Sequence, residues 1–301
     1  MKHKDLGNLK IALHYEMTGR MKNNEGMGGI RDDMRHICDW YFDHPNYYKV
    51  DGGRPVLFVY GTRRFLKRGG LEEALSAMRS ETSNCGHNVY LIGDQVFNRA
   101  PDPEKASVPF QWFDAITNYD VYGSNNNRRM GYSGKDGVDD YFFEQTKWLE
   151  QATKNNCGFI PAVSPGYNDR AVRLESDHPP LSRRLTADSK EGSLFWYQLQ
   201  KAMPLVNSLL DKMIMVNSFN EWHEDTQIEP VLEAGSSDYN DDHSDSDAAF
   251  STFAEKLKEV LAGGGNSEGY TTTYPELLTG GLEYVGYGNL YLDILGAATT
   301  N

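Results

Sequence analysis

The chain has 301 residues, of which 39% are hydrophobic and 12% aromatic: enough apolar material for a sizeable core, and too much for intrinsic disorder. Its length fits one large domain or two small ones. No run approaches the ~18 consecutive apolar residues of a membrane span, and a net charge of −13 reads against nucleic acid as a partner, because the phosphate backbone repels an acidic surface.

The N-terminal MKHKDLGNLKIALHYE has neither the apolar core nor the cleavage site of a secretory leader. KIALHYE (Lys10 to Glu16) reads as a strand. Met34, Ile37, Cys38, Tyr41 and Phe42 then recur at helical spacing, stopped by His44-Pro45. Pro55 to Gly61 is a continuous apolar run, as a strand buried on both faces requires. Leu71, Ala74, Leu75 and Met78 mark the next helix, and strands are expected over Asn88 to Asp94 and Phe113 to Asp120. A long helix follows, with Val138, Tyr141, Phe142, Gln145, Trp148, Leu149 and Ala152 on one face.

Cys157 to Ser164 is the fifth strand. Ser193 to Leu210 is helical with a break at Pro204. Lys212 to Trp222 is the sixth strand, running into a loop. A last helix carries Phe250, Phe253, Leu257, Val260 and Leu261, followed by the flexible GGGNSEG. The three cysteines, Cys38, Cys85 and Cys157, show no zinc-type spacing; one disulfide is compatible with them but not demanded.

This alternation of strands and helices implies parallel strands with crossover helices. An open doubly wound sheet and a (β/α)8 barrel both fit. No GxGxxG or GxxxxGK[ST] occurs, so a dinucleotide or P-loop site is unsupported. His14, Glu16, Tyr60, Asp94, Tyr119, Tyr167, Glu221 and Glu224 all fall just past strand ends, where both architectures place their chemistry. Because so many strands contribute, the barrel is favoured.

The most informative stretch is VNSFNEWHEDTQIEP, Val216 to Pro230. An apolar strand ends and meets Asn220, Glu221, Trp222, His223 and Glu224 within five residues. Two carboxylates three positions apart beside an aromatic platform suit glycoside cleavage. One must hold a proton near neutral pH, which a partly apolar wall would favour. The plainer alternative is a satisfied polar loop around a core Trp. PAVSPGYNDR (Pro161 to Arg170) makes a Pro-Gly turn that projects Tyr167, or serves as a turn alone. Glu16 at a strand end could equally pair with a core Arg. SSDYNDDHSDSD (Ser236 to Asp247) lacks EF-hand spacing and reads as a solvated acidic loop.

FNEWHEDTQIEP closely resembles the FNEWHEGTQIE signature of glycoside hydrolase family 99, the endo-α-mannosidases and endo-α-1,2-mannanases. LKIALHYEMTGR resembles that family's strand ending in HxEP, and HPNYYKVDGGRPVLFVY its HPAFYR…PMFYVYD segment. FDAITNYDVYG is similar to FDGIYTYF…G, and FIPAVSPGYNDRAVR to FIPSVGPGYxDTxIR. Order and spacing agree from about Asn8 to Pro230. The resemblance implies a (β/α)8 barrel and a retaining endo-acting hydrolase of α-mannosidic bonds in mannans or N-glycans. No cofactor or metal is implied, and the expected partner is a mannose-containing oligosaccharide or polysaccharide.

By the same resemblance Glu221 activates the mannose 2-hydroxyl and Glu224 is the general acid/base. Glu16, Tyr119, Tyr167, Asn220, Trp222 and His223 line the substrate. Members of the family work in the Golgi lumen, in the periplasm or outside cells. Four positions depart from the pattern: Met17 and Thr18 stand where the family has a Pro-Tyr, Gly61 replaces an aspartate, and Asp225 replaces the motif glycine. The family also has roughly one hundred residues before the HxE strand, carrying the first two barrel strands. With six strands expected here against the eight of a closed barrel, the chain is read as the C-terminal three-quarters of the domain. The expected division is 1–263 as catalytic barrel and 264–301 as a Gly-rich loop and tail packing on it. Two other readings are carried: a truncated, non-catalytic carbohydrate-binding relative, and a glycosyltransferase-like relative that processes polysaccharides.

Overall fold

The computed structural model describes residues 7–17, 26–95, 97, 99–101, 107–119, 131–170, 172–173, 180–206, 210, 212–232 and 286–300. The chain divides into two compact units: Met1–Asp120, Phe143–Ala162 and Leu205–Met215 form one; Val121–Phe142, Val163–Pro204 and Val216–Asn301 form the other. The expected helix over Phe250 to Leu261, the GGGNSEG loop and the acidic loop Ser236 to Asp247 lie outside the described residues.

The first unit is built on β1 (Leu13–Glu16), β2 (Lys49–Val50), β3 (Arg54–Tyr60), β4 (Tyr90–Gln95), β5 (Ala115–Asn118) and β6 (Gly158–Phe159). The sheet order is β1-β3-β4-β5-β6, all parallel, with β2 folded back antiparallel on β3. The Asp51-Gly52-Gly53 turn makes that hairpin, and all three of its residues take positive φ. Helices α1 (Gly26–Ile37), α2 (Thr62–Arg68), α3 (Leu71–Asn84) and α4 (Ser107–Trp112) fill the connections between parallel strands.

The apolar run in β3 is buried on both faces, as its composition requires. Val56 packs with Tyr90, Ile92, Ala115, Ile160 and Leu210 in one core cluster, while its neighbours Leu57 and Val59 are fully buried on the alternate face. At the strand starts, Asp114 gathers the Arg54 guanidinium at 2.6 Å, the Arg79 guanidinium at 2.8 Å and the Leu91 amide at 2.9 Å. Glu81 on α3 pairs with Arg31 and Arg35 on α1 at 2.9 and 3.0 Å, and Arg31 first among them holds its carboxyl below the usual range.

The expected strand from Cys157 to Ser164 is observed as β6 and β7 (Ala162–Val163), parted at Ile160-Pro161. Proline has no N–H to give a ladder, and the run changes partner there. Gly158 and Ile160 donate to Asp114 and Ile116, whereas the carbonyls of Pro161 and Val163 accept from Met215 and Asn217. The partners advance together, so β7 pairs in parallel with β8 (Met215–Val216). The expected long strand Lys212 to Trp222 thus reduces to β8 and a loop.

A long helix, α5 (Gly134–Lys154), precedes β6. In the second unit α6 (Ser193–Ala202) runs into a 3-10 turn, Met203–Leu205, at the expected Pro204 break. A C-terminal helix, α7 (Leu290–Thr299), packs on α6 through Tyr291 and Phe195, whose rings lie 5.7 Å apart. Among the described residues no helix is long and apolar enough to cross a membrane. The three cysteines are unpaired; burial pushes the Cys38 and Cys157 thiols up to about 12, which makes them inert.

Candidate active site

Glu16 and Tyr119 belong to the first unit; Tyr167, Asn220, Glu221, Trp222, His223 and Glu224 belong to the second. Glu16 closes β1, opposite Tyr60 in the register, and Tyr119 follows the last residue of β5. Asp94, near the end of β4, accepts the Tyr119 amide at 2.8 Å. The rings of His14, Tyr60 and Tyr119 form an aromatic group with centroids 5.6–6.0 Å apart. The His14 side chain is exposed, yet desolvation by its partial burial pulls its pKa below the ordinary value, with Glu16 opposing.

In the second unit β8 ends at a cis Asn217-Ser218 peptide, and the chain enters a tightly bonded loop. The Ser218 hydroxyl accepts the Glu221 amide at 2.8 Å and lies 2.8 Å from the hydroxyl of buried Thr226. Glu221 caps one 3-10 turn, Trp222–Glu224, with its own carboxylate accepting the His223 amide. Glu221 stands just outside the turn as its cap, at φ −82° and ψ +82°, and Glu224 is the turn's last residue, so one short loop carries both carboxylates. Oε1 of Glu221 lies 3.2 Å from the His223 amide and 3.3 Å from its Nδ1. Oε1 of Glu224 accepts from Arg173 at 3.0 Å, and that side chain is only 18% exposed. For both residues Oε2 has no side-chain partner among the described residues.

Asn220 and His223 are exposed, and Trp222 is 62% exposed with its indole N–H bonded to Glu229. Trp222 therefore offers its ring to solvent, while the neighbour of Glu224 is a guanidinium and not the apolar wall that the motif alone implied. Tyr167 is fully buried; its backbone bridges Leu181, and its hydroxyl accepts from Arg173 at 3.3 Å.

Two arginines that hold this loop were not singled out from the sequence. Arg173 pairs with buried Asp169 at 2.7 Å as well as with Glu224; Asp169 first, then Glu224, raises its pKa. The Asp-Arg spacing of four within FIPAVSPGYNDRAVR was the available signal. Arg183, 3% exposed, donates to Asp225 and Gln227 and stacks over Tyr287 and Tyr291 at 5.1 and 4.9 Å. Burial alone would lower the Arg183 pKa, but Asp225 and the tyrosines outweigh it. Gly166 lets this side chain approach: a Cβ there would sit 2.7 Å from Arg183 Cγ.

The family model of glycosyl hydrolase family 99 matches residues 112–256, the span that contains both carboxylates. The chain is 42% identical over 231 residues to a glycoprotein endo-α-1,2-mannosidase-like protein of Danio rerio, covering 74% of this chain and 45% of that protein. It is 28% identical to the Xenopus laevis glycoprotein endo-α-1,2-mannosidase, covering 74% of this chain and 44% of that protein. The chain is thus similar to members of glycosyl hydrolase family 99. It spans about half the length of the curated relatives it matches. A solved GH99 endo-α-mannosidase from Bacteroides thetaiotaomicron superposes with a TM-score of 0.51 at 21% identity, over 83% of this chain and 66% of that one. That likeness shows the fold: α/β of the (β/α)8-barrel type, with the parallel strands and crossover helices described above accounting for part of it.

Proposed function

We propose that the protein containing this chain is a retaining, endo-acting α-mannoside hydrolase. The observation that carries this reading is the one short loop in which Glu221 caps the 3-10 turn that ends in Glu224, each with one carboxylate oxygen engaged. The mannose 2-hydroxyl is axial and can attack C1 from the face opposite the leaving group. Glu221 takes the O2 proton as O2 bonds to C1; the C1–O bond to the leaving sugar breaks, and Glu224 protonates the departing oxygen. Water then attacks C1 and gives its proton to Glu224, while O2 leaves C1 and recovers the proton from Glu221. Two inversions give retention without a glycosyl ester, outside the usual two-carboxylate scheme.

Glu16, Tyr119, Asn220, Trp222 and His223 are proposed to line the sugar, with exposed Trp222 supplying a stacking face; Tyr167, expected from the resemblance to line it too, is fully buried and supports the loop from behind through Arg173. Residues 1–263 are proposed as the catalytic barrel and 264–301 as its tail. The substrate class is a mannose-containing glycan.

The test uses the full-length natural protein and a series of leaving groups. Glu224→Gln should slow poor leaving groups by ~10²–10⁴-fold and spare activated aryl α-mannosides, because only the former need the proton. Glu221→Gln should slow both, and a 2-deoxy substrate should be inert. Normal turnover of the 2-deoxy substrate, or identical behaviour of the two variants, would overturn the roles.

A further inference from the structure

Glu224 is not isolated in its loop. Arg173 Nη2 donates to Glu224 Oε1 at 3.0 Å, while Nη1 of the same guanidinium donates to Asp169 Oδ2 at 2.7 Å and to the Tyr167 hydroxyl at 3.3 Å. Asp169 is fully buried, so this second contact anchors the fork. The amides of Val172 and Arg173 both return to the Asp169 carbonyl, at 3.1 and 2.8 Å, which turns Arg173 back over its anchor. The Asn168 amide donates to the Glu224 carbonyl at 2.8 Å, joining the two loops at the backbone as well.

From this geometry, and resting on the proposed role of Glu224, we infer that Arg173 is a positioning residue that assigns the two oxygens of the general acid. Oε1 is committed to the guanidinium. Oε2, with no partner among the described residues, is then the atom that carries the proton and faces the glycosidic oxygen. A carboxyl group free to rotate would present either oxygen in turn. A fork anchored on a buried carboxylate removes that freedom and fixes the acid before substrate arrives. The task needs an arginine: one planar guanidinium bonds Asp169 and Glu224 through different nitrogens, whereas an ammonium is a single point donor. Tyr167 acts here through Arg173.

The experiment measures kcat/KM of the full-length protein on unactivated and on activated aryl α-mannosides, with thermal melts as a folding control. Arg173→Met should lower the rate on the unactivated substrate by about 10- to 100-fold, the range for losing a hydrogen bond to a charged group. It should change the activated substrate by less than about threefold, repeating the selectivity of Glu224→Gln. Arg173→Lys keeps the charge and the fold but breaks the fork, and should show the same selectivity at a smaller amplitude. Equal losses on both substrates, or Arg173→Lys matching the wild type, would overturn the inference. If Glu224→Gln itself lacks the selectivity, the underlying reading falls and this one with it; if Glu224→Gln has it and Arg173→Met does not, only the role of Arg173 falls.

Discussion

Asp225 shows what a single departure from a motif can mean. It takes φ +50° and ψ +39°, the left-handed conformation that glycine adopts freely and that aspartate tolerates better than most residues. The resemblance marks this position as a glycine, and the backbone explains why. The structure adds what the motif could not: the new carboxylate ion-pairs with buried Arg183 at 3.0 Å. Next to this pair, Glu191 accepts a 2.6 Å hydrogen bond from Tyr291. Burial raises the Glu191 pKa from its ordinary 4.5, against the pull of the Tyr291 hydroxyl and Arg183. The sign follows from linkage. Below 4.5 the group is protonated in both states; as pH rises, the unfolded chain ionises first, and folding stability falls until the folded carboxyl has ionised too. Glu191→Gln keeps the acceptor for Tyr291 and removes the titration. The variant should match the wild type in urea unfolding near pH 4 and exceed it near pH 8. A gap of the opposite sign would show that the ion pairing with Arg183 outweighs desolvation.

Elements with strong apolar patterns were legible in the sequence. Pro55 to Gly61 and Asn88 to Asp94 became β3 and β4 with ends shifted by one or two residues, and the helical stripe from Val138 became α5. Short or partner-defined elements were not. β8 is two residues long because its ladder, and not its composition, sets its ends. The helix α2 begins at Thr62 behind Gly61, whose φ of +76° gives a reason for a glycine there; its seven residues TRRFLKR are too charged to show a stripe. The loop from Ser218 to Thr226 was legible as chemistry but not as shape, since the arginines holding it come from other segments. Packing between elements also depends on glycines that no periodicity reveals. A Cβ on Gly93 of β4 would lie 2.6 Å from ring carbons of buried Phe113. Gly93→Ala should therefore cost ~1–3 kcal/mol, as overpacking does. Gly28→Ala on α1 meets nothing within 4 Å and should gain ~0.4–1 kcal/mol. Urea unfolding of the two variants measures the contrast, and a neutral Gly93→Ala would mean that the ring moves aside freely.

For the whole molecule the question is how much of a barrel these residues complete. A closed eight-stranded barrel pairs each strand on both edges. In the described residues β1 forms a strand ladder with β3 alone, and β8 with β7 alone. The parallel runs are β1, β3, β4, β5, the β6–β7 run and β8, the six expected from the sequence. The relatives align over only 44–45% of their own length, so they carry further chain that this one does not match. An unpaired parallel edge offers hydrogen-bonding groups to any other strand, and each core side chain left wet forfeits ~1.5–3 kcal/mol against a net stability of ~5–15 kcal/mol. Large apolar side chains already stand exposed at Trp40, Phe143, Phe219 and Leu232. The 301 residues expressed alone should therefore bind a hydrophobic dye and self-associate, and their unfolding transition should be broad. A protein extended to the length of the relatives should bind less dye and melt more sharply. Size-exclusion chromatography with dye titration decides between them: a monomer that melts cooperatively and leaves the dye dark would show that these residues close their own core.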